Sequence, residues 1–188
     1  MLCTVKDENG GFMELDILHF FSDMHGTFFD RIVLFITHLG DNGFIWILLS
    51  LFFLLMKKYR KAGISMALSL VLSFIVVNIT VKNLVMRERP FVTDPTLDNL
   101  VYEGSFSFPS GHASASFAAA VSLFIWHKKE GAAALVLAVM IAVSRMYVCV
   151  HYPTDVITGA LFGTAAALVS AAVVKCIFER FGKKKTEI

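Results

Sequence analysis

Arg145, His151 and Asp155 interrupt an otherwise apolar run in residues 144–155, SRMYVCVHYPTD. Charged groups in apolar surroundings are costly, so such a cluster marks a candidate functional site. Arg145 offers a planar, two-pronged contact to an oxyanion. His151 is a candidate nucleophile while one ring nitrogen keeps its lone pair. Asp155, four residues on, is placed to accept the other ring N–H and so fix the tautomer. The plainer alternative is that Pro153 and Thr154 begin a helix whose dipole Asp155 merely complements.

Two further stretches carry related chemistry. In residues 82–90, KNLVMRERP, a continuing helix would bring Lys82 and Arg89 toward one point before Pro90 turns the chain. Converging cations need an anion, unless they only reach outward to lipid headgroups. In residues 109–112, PSGH, Ser110 suits a helix N-cap and Gly111 lets an anion approach the backbone closely. The free N–H groups of that helix start favour a phosphate, with His112 beside it in the first turn. An ordinary capped helix with a packed histidine is the alternative.

The elements that must position these residues belong to a membrane protein. Hydrophobic residues make up 56% of the 188 and charged residues only 17%, against roughly 25% charged in soluble domains. The reading is a single all-α domain over 1–188, a polytopic membrane helix bundle. Residues 1–11 form a polar tail. Two short interfacial helices follow, near 12–21 and 27–38, within an N-terminal region that ends at about residue 41. Five spans then cover approximately 44–56, 62–86, 110–126, 132–150 and 154–178, or six if the N-terminal region also crosses. A loop over 87–109 separates the second and third spans. The first 25 residues carry Lys6, Asp7, Glu8, Glu14, Asp16 and Asp23 and do not read as a cleavable leader. Cys149 and Cys176 read as small apolar packing residues, and with Cys3 they show neither metal nor disulfide spacing.

Tracing the spans back and forth gathers the basic clusters at 57–61, 128–129 and 180–185, with ten Lys/Arg, on one face. The positive-inside rule makes that face cytoplasmic. The loop 87–109 and all three special stretches then share the extracytoplasmic side of a cell inner (plasma) membrane. This coincidence on one side turns three modest signals into one candidate site.

Taken together, Lys82-x6-Arg89-Pro90, Pro109-Ser110-Gly111-His112 and Ser144-Arg145-x5-His151-x3-Asp155 resemble the three-part signature of the type 2 phosphatidic acid phosphatase superfamily. The resemblance covers roughly residues 27–180, and 36–40 (ITHLG) is similar to bacterial members of the phosphatidylglycerophosphatase B type. It implies a lipid phosphatase. Lys82, Arg89 and Arg145 would clamp the phosphate, with hydrogen bonds from Ser110 and the Gly111 backbone. His151 would attack phosphorus, oriented by Asp155, and His112 would protonate the leaving oxygen and then activate water. It implies no metal or cofactor. The expected partners are the bilayer and a phospholipid or polyprenyl phosphate substrate, with no nucleic acid. Lipid phosphotransfer and non-catalytic binding or transport of anionic lipids stay open at this point. His19, His25, His38 and His127 match no signature position and read as interfacial or structural.

Overall fold

The computed structural model describes residues 11–184. The polar tail expected over 1–10 and the end of the last basic cluster at 185–188 lie outside the described residues. Two short helices, α1 (Gly11–Ser22) and α2 (Phe28–Leu39), come first. A single 3-10 turn, Asp41–Gly43, leads into α3 (Phe44–Leu55). Asn42 and Gly43 both take left-handed backbone there, with φ of 51° and 69°, so chemistry that favours Asn and Gly makes the turn. α4 (Arg60–Ser73) continues through a π-helical segment, Phe74–Val81, into α5 (Lys82–Val85). The one-turn α6 (Pro90–Thr93) starts at Pro90, where a missing N–H costs nothing. Three longer helices complete the bundle: α7 (Gly111–Trp126), α8 (Lys128–Tyr147) and α9 (Pro153–Lys184). No strand occurs among the described residues.

α7 is the central helix, packed by α4, α8 and α9. Its sequence explains why. Ala113, Ser114, Ser116, Ala118, Ala119, Ala120 and Ser122 are all buried, and small side chains let helix backbones approach closely. Glycines of the neighbouring helices do the same: a Cβ on Gly163 of α9 would lie 2.2 Å from the Ser114 carbonyl oxygen. Hydroxyls stitch the contact with α4: Ser69 Oγ donates to the Ala118 carbonyl at 3.0 Å, and Ser73 and Ser114 hydroxyls meet at 2.5 Å. Large apolar side chains such as Phe52, Leu55, Leu161 and Leu168 face outward, as a bilayer-facing surface requires.

Three described helices are long and apolar enough to cross a membrane, and α2 with α3, bent by 45°, would make a fourth. By length and composition alone the described helices thus fall short of the expected five spans, at two places. α3 has only 12 residues and reaches span length only together with α2. α7 has 16 residues, about 24 Å at 1.5 Å per residue, short of the roughly 30 Å hydrocarbon core. α2, expected as an interfacial helix, would pair with α3 across that bend as a broken span or a re-entrant loop.

The two ends of the bundle differ as the charge pattern requires. At one end Tyr59 donates to Glu130 Oε1 at 2.7 Å and stacks 4.2 Å from the His127 ring, joining the clusters at 57–61 and 128–129. At the other end the tip of α5, the starts of α7 and α9, the end of α8 and the α2–α3 bend converge.

Candidate active site

The turn between α8 and α9 sets the centre. Cys149 closes α8 in left-handed backbone, φ 56°, and presents His151 inward. Cys149 is fully buried, and burial pushes its thiol up to about 12, consistent with a packing role. His151 is buried. Its Nε2 lies 3.3 Å from Arg89 Nη1, while Nδ1 lies 3.4 Å from Ser107 Oγ and 3.5 Å from Asp155 Oδ2. A guanidinium only donates, so Nε2 must carry the lone pair and Nδ1 the proton. Burial, then the charges of Arg89, Arg145, Lys82 and His112, hold His151 well below its ordinary 6.5, favouring the neutral ring.

Asp155 is fully buried and saturated with donors. It accepts from Arg87 Nη1 at 2.7 Å, Ser107 Oγ at 2.5 Å and the Tyr152 N–H at 3.0 Å. The Arg87 guanidinium carbon lies over the Tyr152 ring, 3.7 Å from its centroid, and its other arm reaches Glu14 of α1 at 2.7 Å. Asp155 therefore sits behind the histidine, away from the cavity.

The cations gather, but not along the continuing helix expected: α5 ends at Val85, Met86 takes left-handed backbone with φ 51°, and Arg89 returns from non-helical chain. Arg89 is buried and donates to the Ser105 and Val150 carbonyls at 2.8 Å each. Lys82, one turn from the end of its helix, is buried with Ser105 Oγ at 3.4 Å. Arg145 is 1% exposed and donates to Thr37 Oγ1 of α2 at 2.7 Å; its Nε has no partner among the described residues. The loop carboxylate of Glu103 joins the two arginines, bonded to Arg145 Nη2 and 3.7 Å from Arg89 Nη2. A carboxylate thus already fills the position between the guanidinium groups.

Gly111 and His112 line the same cavity as Lys82, Arg89 and His151. His112 Nε2 meets Asp41 Oδ1 at 3.0 Å, and the other Asp41 oxygen takes His38 Nδ1 at 2.7 Å. Ser110 differs from the expected contact. Its Oγ caps α7 by accepting from the Ala113 N–H at 3.4 Å, its own N–H donates to the Asp155 carbonyl, and it is fully buried. Arg145 likewise is covered, by Glu103. The cavity, about 670 Å³, runs from these polar groups between α3 and α4, where Ile47, Leu51, Leu70, Val71 and Phe74 form apolar walls. No group of three or more His, Cys, Asp or Glu side chains among the described residues shares metal-holding geometry.

Thr37, Asp41, Glu103, Ser107 and the Asp155 contact of Arg87 were not legible as site features in the sequence. Ser107 and Glu103 lie in an irregular loop with no period to read. Arg87 had one signal, its place among the cations before Pro90. His38 supports the site at one remove, through Asp41.

Fold and pocket together define an all-helical membrane-type bundle with a cationic, histidine-bearing cavity at one end. The sequence profile of the PAP2 superfamily matches residues 62–179, and the chain belongs to that superfamily. Among relatives, the bacitracin transport permease protein BcrC of Bacillus licheniformis is 39% identical over 107 residues, 55% of this chain and 53% of that protein. An undecaprenyl-diphosphatase of Sulfolobus acidocaldarius is 31% identical over 144 residues, 76% of this chain and 69% of that one. The match to the first thus spans just over half of that relative's length. A transmembrane PAP2 type phosphatidylglycerolphosphate phosphatase from Bacillus subtilis has the same fold, with TM-score 0.68, 27% identity, and coverage of 90% of this chain and 86% of that one.

Proposed function

We propose that this chain is a membrane phosphatase that hydrolyses lipid phosphate or diphosphate monoesters through a phosphohistidine on His151. The substrate classes are polyprenyl diphosphates and phosphatidylglycerol phosphate or phosphatidate. The observation that carries this reading is the unprotonated Nε2 of a buried histidine beside Arg89, in a cavity that passes into apolar walls. The names of the relatives support the same chemistry.

The substrate phosphate displaces the Glu103 carboxylate and takes its place between Arg89 and Arg145, with Lys82 and the Gly111 N–H completing the clamp. The Nε2 lone pair attacks phosphorus, and the bond to the leaving oxygen breaks. His112, which takes up a proton when the phosphate's negative charge binds beside it, gives that proton to the leaving oxygen through Nδ1, while Asp41 steadies the ring at Nε2. Asp155 accepts from His151 Nδ1–H and balances the charge that develops on the ring. Water then gives a proton to His112 and attacks phosphorus, the P–N bond breaks, and orthophosphate leaves. In this reading Ser110 works through its backbone position rather than its hydroxyl.

The same proposal extends to topology. Five crossings are formed by the α2–α3 pair, by α4 with α5, and by α7, α8 and α9, with α7 shielded from lipid by its neighbours. The basic clusters face the cytoplasm of a plasma membrane and the site faces outward. The test is phosphate release by detergent-purified protein, chelator present, on polyprenyl diphosphate, phosphatidate, phosphatidylglycerol phosphate and lipid A. Release that is lost in His151→Ala, with acid-labile label trapped on the wild type, is expected. A folded preparation that releases phosphate from none of them overturns the reading.

A further inference from the structure

The cavity has a graded wall. Along one helix, Lys82, Asn78, Phe74 and Val71 all face it, four, four and three residues apart. The order is cation, amide, aromatic, aliphatic, from the phosphate end toward the lipid end. Asn78 stands about one turn tailward of Lys82, inside an apolar run (FIVVNITV) that forms the π-helical segment. Such segments often mark functional positions. The side-chain amide of Asn78 has no hydrogen-bond partner among the described residues; only its backbone carbonyl accepts, from the Asn83 side chain. A polar side chain at membrane depth ordinarily finds a partner. The amide also touches the candidate catalytic machinery: a Cβ on Gly111 would fall 2.7 Å from Asn78 Oδ1. Gly111, next to His112, leaves the room that this amide uses. Asn78 also lines a second, outer cavity of about 440 Å³, shared with Lys82, Arg89 and Glu103, so it stands where headgroup space and lipid space meet.

We infer that Asn78 is a specificity-determining residue that donates its amide N–H to an anionic oxygen on the lipid side of the reacting phosphate, as the second phosphate of a lipid diphosphate provides. This rests on the phosphatase reading for its substrate. The geometry gives the reason. With the terminal phosphorus at His151 and the arginines, the next polar atoms toward the tail pass His112 and Gly111, and there the wall offers Asn78. A monophosphate ester places only its ester oxygen and carbon chain at that depth.

The experiment compares wild type, Asn78→Leu and Asn78→Gln on a polyprenyl diphosphate and the monophosphate of the same chain. It also measures binding of the matching non-hydrolysable methylene bisphosphonate in the His151→Ala background. Leucine keeps the branched shape and suits the apolar span, and glutamine keeps the amide. Asn78→Leu is expected to lower the diphosphate-to-monophosphate ratio of kcat/KM about 10- to 100-fold, the size of one hydrogen bond to a charged group. It is expected to weaken the bisphosphonate by a similar factor, with partial recovery in Asn78→Gln. An unchanged ratio together with unchanged bisphosphonate affinity overturns the inference and leaves the phosphatase reading standing. Failure of the wild type to turn over either lipid, with bisphosphonate binding still weakened by Asn78→Leu, overturns the phosphatase reading and supports the contact.

Discussion

Replacing Glu103 with glutamine tests whether the paired arginines are a phosphate position held by a stand-in anion. The Glu103 carboxylate bonds Arg145 and lies 3.7 Å from Arg89 Nη2. At an effective dielectric of about 20, unit charges at that separation attract by about 4 kcal/mol. The Glu103 side chain keeps 28% of its exposure and hangs from a loop, so desolvation and ordering offset most of this, leaving about 1–2 kcal/mol. An incoming phosphate must displace that interaction. Glutamine keeps the shape and one acceptor but removes the charge, so orthophosphate should bind about 5- to 30-fold more tightly. The assay is competitive inhibition by orthophosphate in wild type and Glu103→Gln, with thermal midpoints recorded for both. An unchanged or weaker inhibition constant, in a variant with the wild-type midpoint, would refute the assignment of this position to phosphate.

Two further outcomes follow from the site. Asp155→Asn should lower kcat about 100-fold or more while KM moves only a few-fold, because Asp155 is behind His151 and out of the cavity; a loss confined to KM, or a rate within twofold of wild type, would remove it from this role. The depressed value of His151 also predicts a stability slope. Below about 6.5 the unfolded chain takes up a proton at this position and the folded chain does not until lower pH. This contribution is therefore present above 6.5 and lost as pH falls toward the folded value. The charged groups around the ring are Arg89, Arg145, Lys82, His112, Asp155 and Glu103. Between pH 7.5 and 5.5 the thermal midpoint of wild type should fall further than that of His151→Ala, and parallel slopes would contradict the buried, neutral ring.

The sequence by itself picked out the residues with candidate site chemistry and the end of the bundle where they gather. Arg145, His151, Lys82 and Arg89 stand out because charged and titratable groups in apolar stretches are rare. Ser110 marked a helix start and Pro90 a turn out of the preceding helix because their backbone preferences are local, and the basic clusters separated the two ends because charge resists burial in lipid. The span count was less legible: α3 and α7 are apolar enough, but their lengths depend on the bend at Asp41–Gly43 and on where Ser110 caps. Only the tertiary structure decided the partners. Glu103 meets an arginine 42 positions away, Ser107 meets Asp155 at a separation of 48, and Asp41 reaches His112 across 71. Such pairs carry no periodic signal, because they form where helix ends and an irregular loop are brought together by the close packing of α7 against α4, α8 and α9. The same packing placed Ser110 and Asp155 behind the cavity wall and turned Asn78 toward it, distinctions of side-chain direction that spacing alone does not contain.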